Sequence, residues 1–196
     1  MEYISDIAFS DAVKKVQETQ GSRTAYARME TAGGWRSEVD TELSDFLSNQ
    51  DSFYLATANA KGQPYVQHRG GPPGFLKPIG NNQLAFADFS GNRQYISVGN
   101  LSENNQAFIF LMDYARQTRI KIWGTAQVVT KDPSLLQKLV DPEYHAIPER
   151  IMVFTVKAWD VNCRQHIKQR YTAEQVKQIT QPLKDRIAEL EAQLEK

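Results

Sequence analysis

Two arginines beside a run of glycines supply the most suggestive chemistry in this chain. Arg69 and Arg93 lie at the ends of apolar segments, PYVQHRGGPPGF (residues 64–75) and LAFADFSGNRQYISVGNL (residues 84–101). Gly70, Gly71 and Gly74 can take positive φ and so let backbone N–H groups come close to a ligand. Guanidinium groups beside such N–H groups suit an anion such as a phosphate. The competing reading is a surface loop with solvated arginines and turn glycines. Arg119, at the start of a later strand, is a third candidate cation, with an ordinary solvated strand charge as its alternative. Gln67, His68, Asp88, Asn92 and Gln94 lie within a few residues of Arg69 or Arg93. They offer the donors and acceptors that a heterocycle with both kinds of edge requires. A helix expected to begin near Asn92 would aim its N-terminal N–H groups at the same phosphate.

A second group, Cys163 and His166, has C-x-x-H spacing. Zinc takes four ligands and no second pair exists, so a metal site is not expected. Asn162, Gln165 and His166 fit better as hydrogen-bonding groups to a bound ring, or as caps on the end of a strand. His145, in a proline-bounded loop, reads as a surface residue.

These residues need a scaffold, and the composition bounds it. The chain has 196 residues, 41% hydrophobic and 23% charged, with Lys+Arg and Asp+Glu equal at 23 each. That is enough for one domain with a real core, or one domain with an appendage. The balanced charge argues against a nucleic-acid partner, which needs a basic face. The single cysteine excludes an intrachain disulfide framework and fits a reducing cytosol. No basic-then-apolar leader opens the chain, and the longest apolar run, Ala107 to Met112, is far short of the roughly 20 residues that span a bilayer. The expectation is a cytoplasmic protein with no membrane partner.

Read in order, Ser10 caps a helix that runs to Gly21. Residues 22–35, with Gly33 and Gly34 and no clear period, read as an extended arm carrying Arg23, Tyr26 and Arg28. Asp40 caps a second helix, where Val39, Leu43, Phe46 and Leu47 share one face. Residues 52–70 form a hairpin around the turn Asn59 to Gly62. QLAFAD is a third strand, followed by a loop and a short helix. QAFIFLMD is a fourth strand, apolar enough to be buried on both sides. TRIKIWGTAQVVT is a fifth, with a bulge or bend at Gly124. A helix opened by Pro133 precedes the sixth strand, IMVFTVKAW. Tyr54, Trp123 and Trp159 are expected in the core. From Ala173 a charged helix carries Leu183, Ile187, Leu190 and Leu194 in a heptad-like stripe, expected to pack on the body or on a second subunit. Six strands in hairpin and meander order point to an antiparallel barrel, mainly β with flanking helices.

Four segments, FYLATANAKGQPYVQHRGGPPGF, FADFSGNRQYISVGNLSENNQAFIFLMDY, RIKIWGTAQVV and DVNCRQHI, together resemble the pyridoxamine 5′-phosphate oxidase-like FMN-binding split-barrel proteins. The resemblance covers roughly residues 5–171. It implies an α+β chain built on a six-stranded antiparallel split barrel with a C-terminal helix. Its parts would be N-terminal helices and arm over 1–50, the FMN-binding barrel over 51–171 and the amphipathic helix over 172–196. It also implies a homodimer with FMN at the subunit interface. Gln67, His68, Arg69 and Gly70 would contact the cofactor from the first hairpin, Ala87, Asp88, Asn92, Arg93 and Gln94 from the third strand and its loop. Arg119 would do so from the fifth strand, and Gln165, His166 and Arg170 from the C-terminal segment.

Two departures matter. The true oxidases carry a W…R-x-H-like C-terminal segment, whereas this chain has NCRQHIKQR, so substrate identity does not transfer. Many relatives read NCPQHI, and here Arg164 replaces the proline. No residue stands out as a general base. Three readings follow: an FMN-dependent oxidoreductase acting on a small molecule, a flavin-binding or carrier protein without turnover, and a haem- or pyridoxal phosphate-binding split barrel.

Overall fold

A computed structural model describes residues 3–162 and 164–194; Cys163 lies outside the described residues. The strands are β1 (Ser52–Ala58), β2 (Pro64–Gly70), β3 (Lys77–Gly80), β4 (Gln83–Phe89), β5 (Gln106–Asp113), β6 (Thr118–Val129) and β7 (Pro148–Asn162). The helices are α1 (Asp11–Thr19), α2 (Arg23–Thr31), α3 (Thr41–Ser48), α4 (Ile96–Glu103), α5 (Pro133–Leu139) and α6 (Ala173–Leu194), after a 3₁₀ turn at Ile4–Ile7. The strands make one antiparallel sheet in the order β2-β1-β5-β6-β7-β4-β3. The sheet curls on itself as a split barrel, so that β2 at one edge reaches β4 near the other: Arg69 of β2 is ion-paired with Asp88 of β4.

The barrel closes because alternate residues of every long strand are apolar and turn inward. Phe53, Leu55, Leu84, Phe86, Ile109, Leu111, Ile120, Ile122, Phe154 and Trp159 fill one core, and Leu43, Phe46 and Leu47 of α3 plug it. Asp40 caps α3 by accepting from the Leu43 N–H (2.9 Å). The outer face of β4 and β7 is covered by α5, through Ala85, Ala87, Leu139, Ile151 and Val153. Pairing shifts register between Trp123 and Gly124. A Cβ at Gly124 would lie 2.0 Å from the Thr155 carbonyl oxygen, so only glycine lets β6 and β7 approach here.

Several expectations need correction. Residues 23–31 form α2 rather than an extended arm. What holds it is polar: buried Glu30 accepts from Ser5 Oγ (3.0 Å) and pairs with Arg23. An apolar-period reading misses such a helix. A seventh strand, β3, is added at the sheet edge, where Pro78 need not donate to the ladder. β5 is not buried on both sides; its residues alternate, and Phe108 and Phe110 are only half-buried on the outer face. Trp159 is core, but Trp123 is half-buried and Tyr54 is exposed. The helix expected near Asn92 starts at Ile96. No residue of α6 is buried against the body.

Candidate functional site

Of the three glycines that flank Arg69, only Gly74 has positive φ (+76°), and its N–H donates to the Gln50 carbonyl (2.9 Å). Gly70 and Gly71 serve close approach instead: a Cβ at Gly71 would sit 2.6 Å from the Phe75 ring. These glycines let β2 turn sharply past α3, which leaves Arg69 in the wall of a cavity of about 310 Å³. A cavity of this size falls in the range of small-molecule and cofactor sites, roughly 300–1,000 Å³.

Gln67, His68, Arg69 and Gly70 of β2 border the cavity, with Ala87 and Asp88 of β4 and Asn92 and Arg93 of the following loop. The structure thus brings together eight of the residues singled out from sequence. Alternation along β2 turns Gln67 and Arg69 inward. Ser97 of α4 donates from Oγ to Gln67 Oε1 (3.0 Å), which fixes the amide and leaves its NH₂ to face a ligand. His68 lies edge-on to its cross-strand neighbour Tyr54, with ring centroids 5.8 Å apart.

Asp88 is shared between Arg69 and Arg150, and Arg150 also pairs with Glu149. Burial pushes the Asp88 carboxyl above the usual carboxylate range and pulls the Arg69 guanidinium down; their mutual attraction opposes both. Arg69 Nε is buried with no hydrogen-bond partner among the described residues. A buried N–H without an acceptor is costly, and a bound anion or ring oxygen would supply one. Ser90, first, and Arg150 hold the Glu149 carboxyl below its usual range.

The loop between β4 and α4 is strained. Arg93 and Tyr95 have φ of +56° and +53°, a region that L side chains seldom occupy. Tyr95 is braced by the Arg150 guanidinium, 4.8 Å from its ring centroid. Arg93 makes no ion pair among the described residues, so its charge faces the cavity without a carboxylate in contact.

Four of the sequence candidates lie outside the cavity. Gln94 is exposed on the loop, its N–H turned to Asn92 Oδ1 (3.2 Å). Arg119 sits at the start of β6, opposite Asn162, with no hydrogen-bond partner for its Nε among the described residues. Gln165 and His166 are exposed on the segment after β7, and His166 has φ of +64°. That segment is pinned to the β5–β6 turn. Gln117 Nε2 donates to the Ile167 carbonyl (2.6 Å), and Arg170 stacks on Tyr114 (4.7 Å). Arg23 and Tyr26 are occupied elsewhere, by Glu30 and Phe9. Among the described residues no group of three or more His, Cys, Asp or Glu could hold a metal ion, and no helix is long and apolar enough to cross a membrane.

Sequence reasoning missed Ser90, Tyr95, Ser97, Tyr144, Glu149 and Arg150. Arg150 and Glu149 come from β7, which adjoins β4 only through the sheet order. The one signal was the charged pair in PERIM at the start of an otherwise apolar strand.

A curled antiparallel sheet with a polar cavity between its meeting strands defines the split-barrel class. The family profile described as pyridoxamine 5′-phosphate oxidase matches residues 39–186, and the chain belongs to that family. Among solved structures, HupZ of Group A Streptococcus superposes with TM-score 0.51 at 19% identity, covering 67% of this chain and 98% of its own. A point variant of HupZ gives TM-score 0.51 at 18% identity, covering 63% and 99%. An FMN-binding protein of Syntrophomonas wolfei aligns more loosely, with TM-score 0.48 at 15% identity over 74% and 97%. No protein of curated function matches the sequence.

Proposed function

We propose that this chain is an FMN-binding flavoprotein that works as a homodimer and acts as an FMN-dependent oxidoreductase on a small molecule. The observation that carries the reading is the donor set of the cavity. Among the described residues, Arg69 offers a buried N–H in want of an acceptor and Arg93 a charge with no ion-paired carboxylate. Ser90, Asn92 and the fixed Gln67 amide lie beside them. Such groups fit a molecule with a phosphate at one end and a heterocyclic edge at the other. Membership of the family supports the same choice of cofactor.

FMN, when bound, would supply the two-electron chemistry of its ring. The chain's own residues do the rest. Arg93 and Arg69 would supply positive charge to the phosphate and the Gln67 NH₂ would be available to the ring edge, while Phe89 with Tyr144 lines the cavity. Asp88 and Arg150 hold the Arg69 guanidinium in place.

A second copy completes the site in this reading. Arg119, Gln165 and His166 lie away from the cavity of their own chain, beside the β5–β6 turn, and a cleft between two copies would give them a ligand. The single cysteine fits the reducing cytoplasm in which we place the protein.

The test is anaerobic. The protein is loaded with FMN and mixed with reduced nicotinamide or with amine donors. Reduction faster than that of free FMN is the expected result. Tight binding with no acceleration by any donor would replace the oxidoreductase with a flavin carrier.

A further inference from the structure

The feature that the cavity leaves unused is α6. It runs over Ala173–Leu194 with no buried residue, yet Val176, Leu183, Ile187, Leu190 and Leu194 are all exposed, Leu183 at 63% and Leu194 at 87%. Val176, Leu183 and Leu190 take one core position of a heptad, and Ala173, Thr180, Ile187 and Leu194 the other. Pro182 falls on the outer face, off this seam. Glu174, Gln178, Asp185 and Glu189 share the outer side. That polar face is acidic and neutral, where a helix lying on a membrane would carry mainly Lys and Arg. Ile179, also exposed, flanks this stripe beside Thr180, and the remaining large apolar residues hold the heptad core positions, a pattern that fits another helix.

The charges beside the seam select the partner and its direction. In a parallel pair of two α6 helices, Arg186 of each copy faces Glu191 of the other. In the antiparallel register that overlaps the whole stripe, Lys177 would meet Glu191, but Arg186 would face Arg186 and Lys184 would face Lys184, like-charge contacts that the parallel pair avoids. Among the described residues of one chain Arg186 pairs with Glu189 alone, in an exposed pair that contributes little. We infer that α6 docks on α6 of a second copy as a short parallel coiled coil. The seam is too short to associate alone, so this rests on the homodimer proposed above, which raises the local concentration of one helix around the other.

Disulfide trapping of the full chain tests it. Leu190→Cys, and separately Leu183→Cys, are made in a Cys163→Ser background, with outward-facing Asp185→Cys as control. Each is oxidised mildly and run on a non-reducing gel, and the parent is sized by sedimentation velocity. The expected result is a dimeric parent, near-complete crosslinking at positions 190 and 183, and at least several-fold less at 185. A dimeric parent whose core-position cysteines crosslink no better than the control overturns the helix pairing and leaves the shared cleft standing. A monomeric parent overturns both.

Discussion

Arg69 and Asp88 lie on β2 and β4, strands separated by four others in the sheet order, and their side chains are ion-paired. This pair spans the seam where the barrel meets itself. It also sits in the wall of the cavity, so one contact closes the fold and orients a cavity arginine. Both side chains are largely buried, at 13% and 8% exposed. Removing one partner of such a pair strands the other charge. Asp88→Ala is therefore expected to cost about 3 kcal/mol of stability, read as a lowered midpoint of urea unfolding. The double change Asp88→Leu with Arg69→Met should recover much of that loss, because Arg69's charge goes with its partner's and Arg150, the other cation on Asp88, keeps Glu149. A double variant as unstable as the single one would show that the seam depends on something else.

Arg93 stands on a loop and makes no ion pair among the described residues, so its loss should leave the fold intact. Arg93→Ala is expected to weaken FMN binding by about 1.5–3 kcal/mol, the scale of a hydrogen bond to a charged group. Arg93→Gly should weaken binding as much while suiting the left-handed backbone at this position (φ +56°). Quenching of flavin fluorescence measures both. Unchanged affinity in either variant would remove Arg93 from the phosphate site.

Gly124 tests the packing that sets the bend of β6. A Cβ there would meet the Thr155 carbonyl at 2.0 Å and the Phe154 ring at 2.6 Å. The ring can shift, but the carbonyl belongs to the paired strand. Gly124→Ala should cost about 3 kcal/mol, the upper part of the usual range for overpacking. Thermal unfolding followed by circular dichroism would register it, and a cost below about 1 kcal/mol would contradict the close approach of the two strands.

Asp132 gives a pH dependence whose sign can be worked out. Its carboxylate accepts from the Leu135 N–H (2.9 Å) at the start of α5, and that bond, first, with Ser134 second, lowers its pKa below the ordinary value. A carboxyl lowered in the folded state contributes stability above its unfolded pKa and loses it as pH falls through the folded one. The advantage of the wild type over Asp132→Ala should be constant near neutrality. It should shrink only below about pH 3.9, the ordinary aspartate value, and vanish in stronger acid. Paired urea titrations across that window would show it, and an advantage that grew in acid would reverse the assignment.

Much of this architecture is legible in the sequence because it rests on period and punctuation. The helix caps Ser10 and Asp40, Pro133 at the start of α5, the hairpin turn at Asn59–Gly62 and the bend at Gly124 are all local. α2 was not legible, because its stability comes from Arg23 and Ser5 on buried Glu30 and not from an apolar stripe. The cavity was half legible. Gln67, Arg69, Asp88 and Arg93 flank glycine-rich turns, which draw attention to them. Arg150 and Glu149 reach the same wall from β7, and no local pattern announces that β7 lies against β4. Arg119 reads as a strand-end cation and Gln165 and His166 as polar groups after the last strand, and one chain by itself does not bring them to the cavity.

The most direct test of the central claim is the visible absorbance of the purified protein, before and after adding FMN and removing the excess. The account predicts the two visible bands of oxidised flavin, retained by concentrated protein and lost on dilution as the two copies separate. Protein that stays colourless with excess FMN, at any concentration, would contradict it.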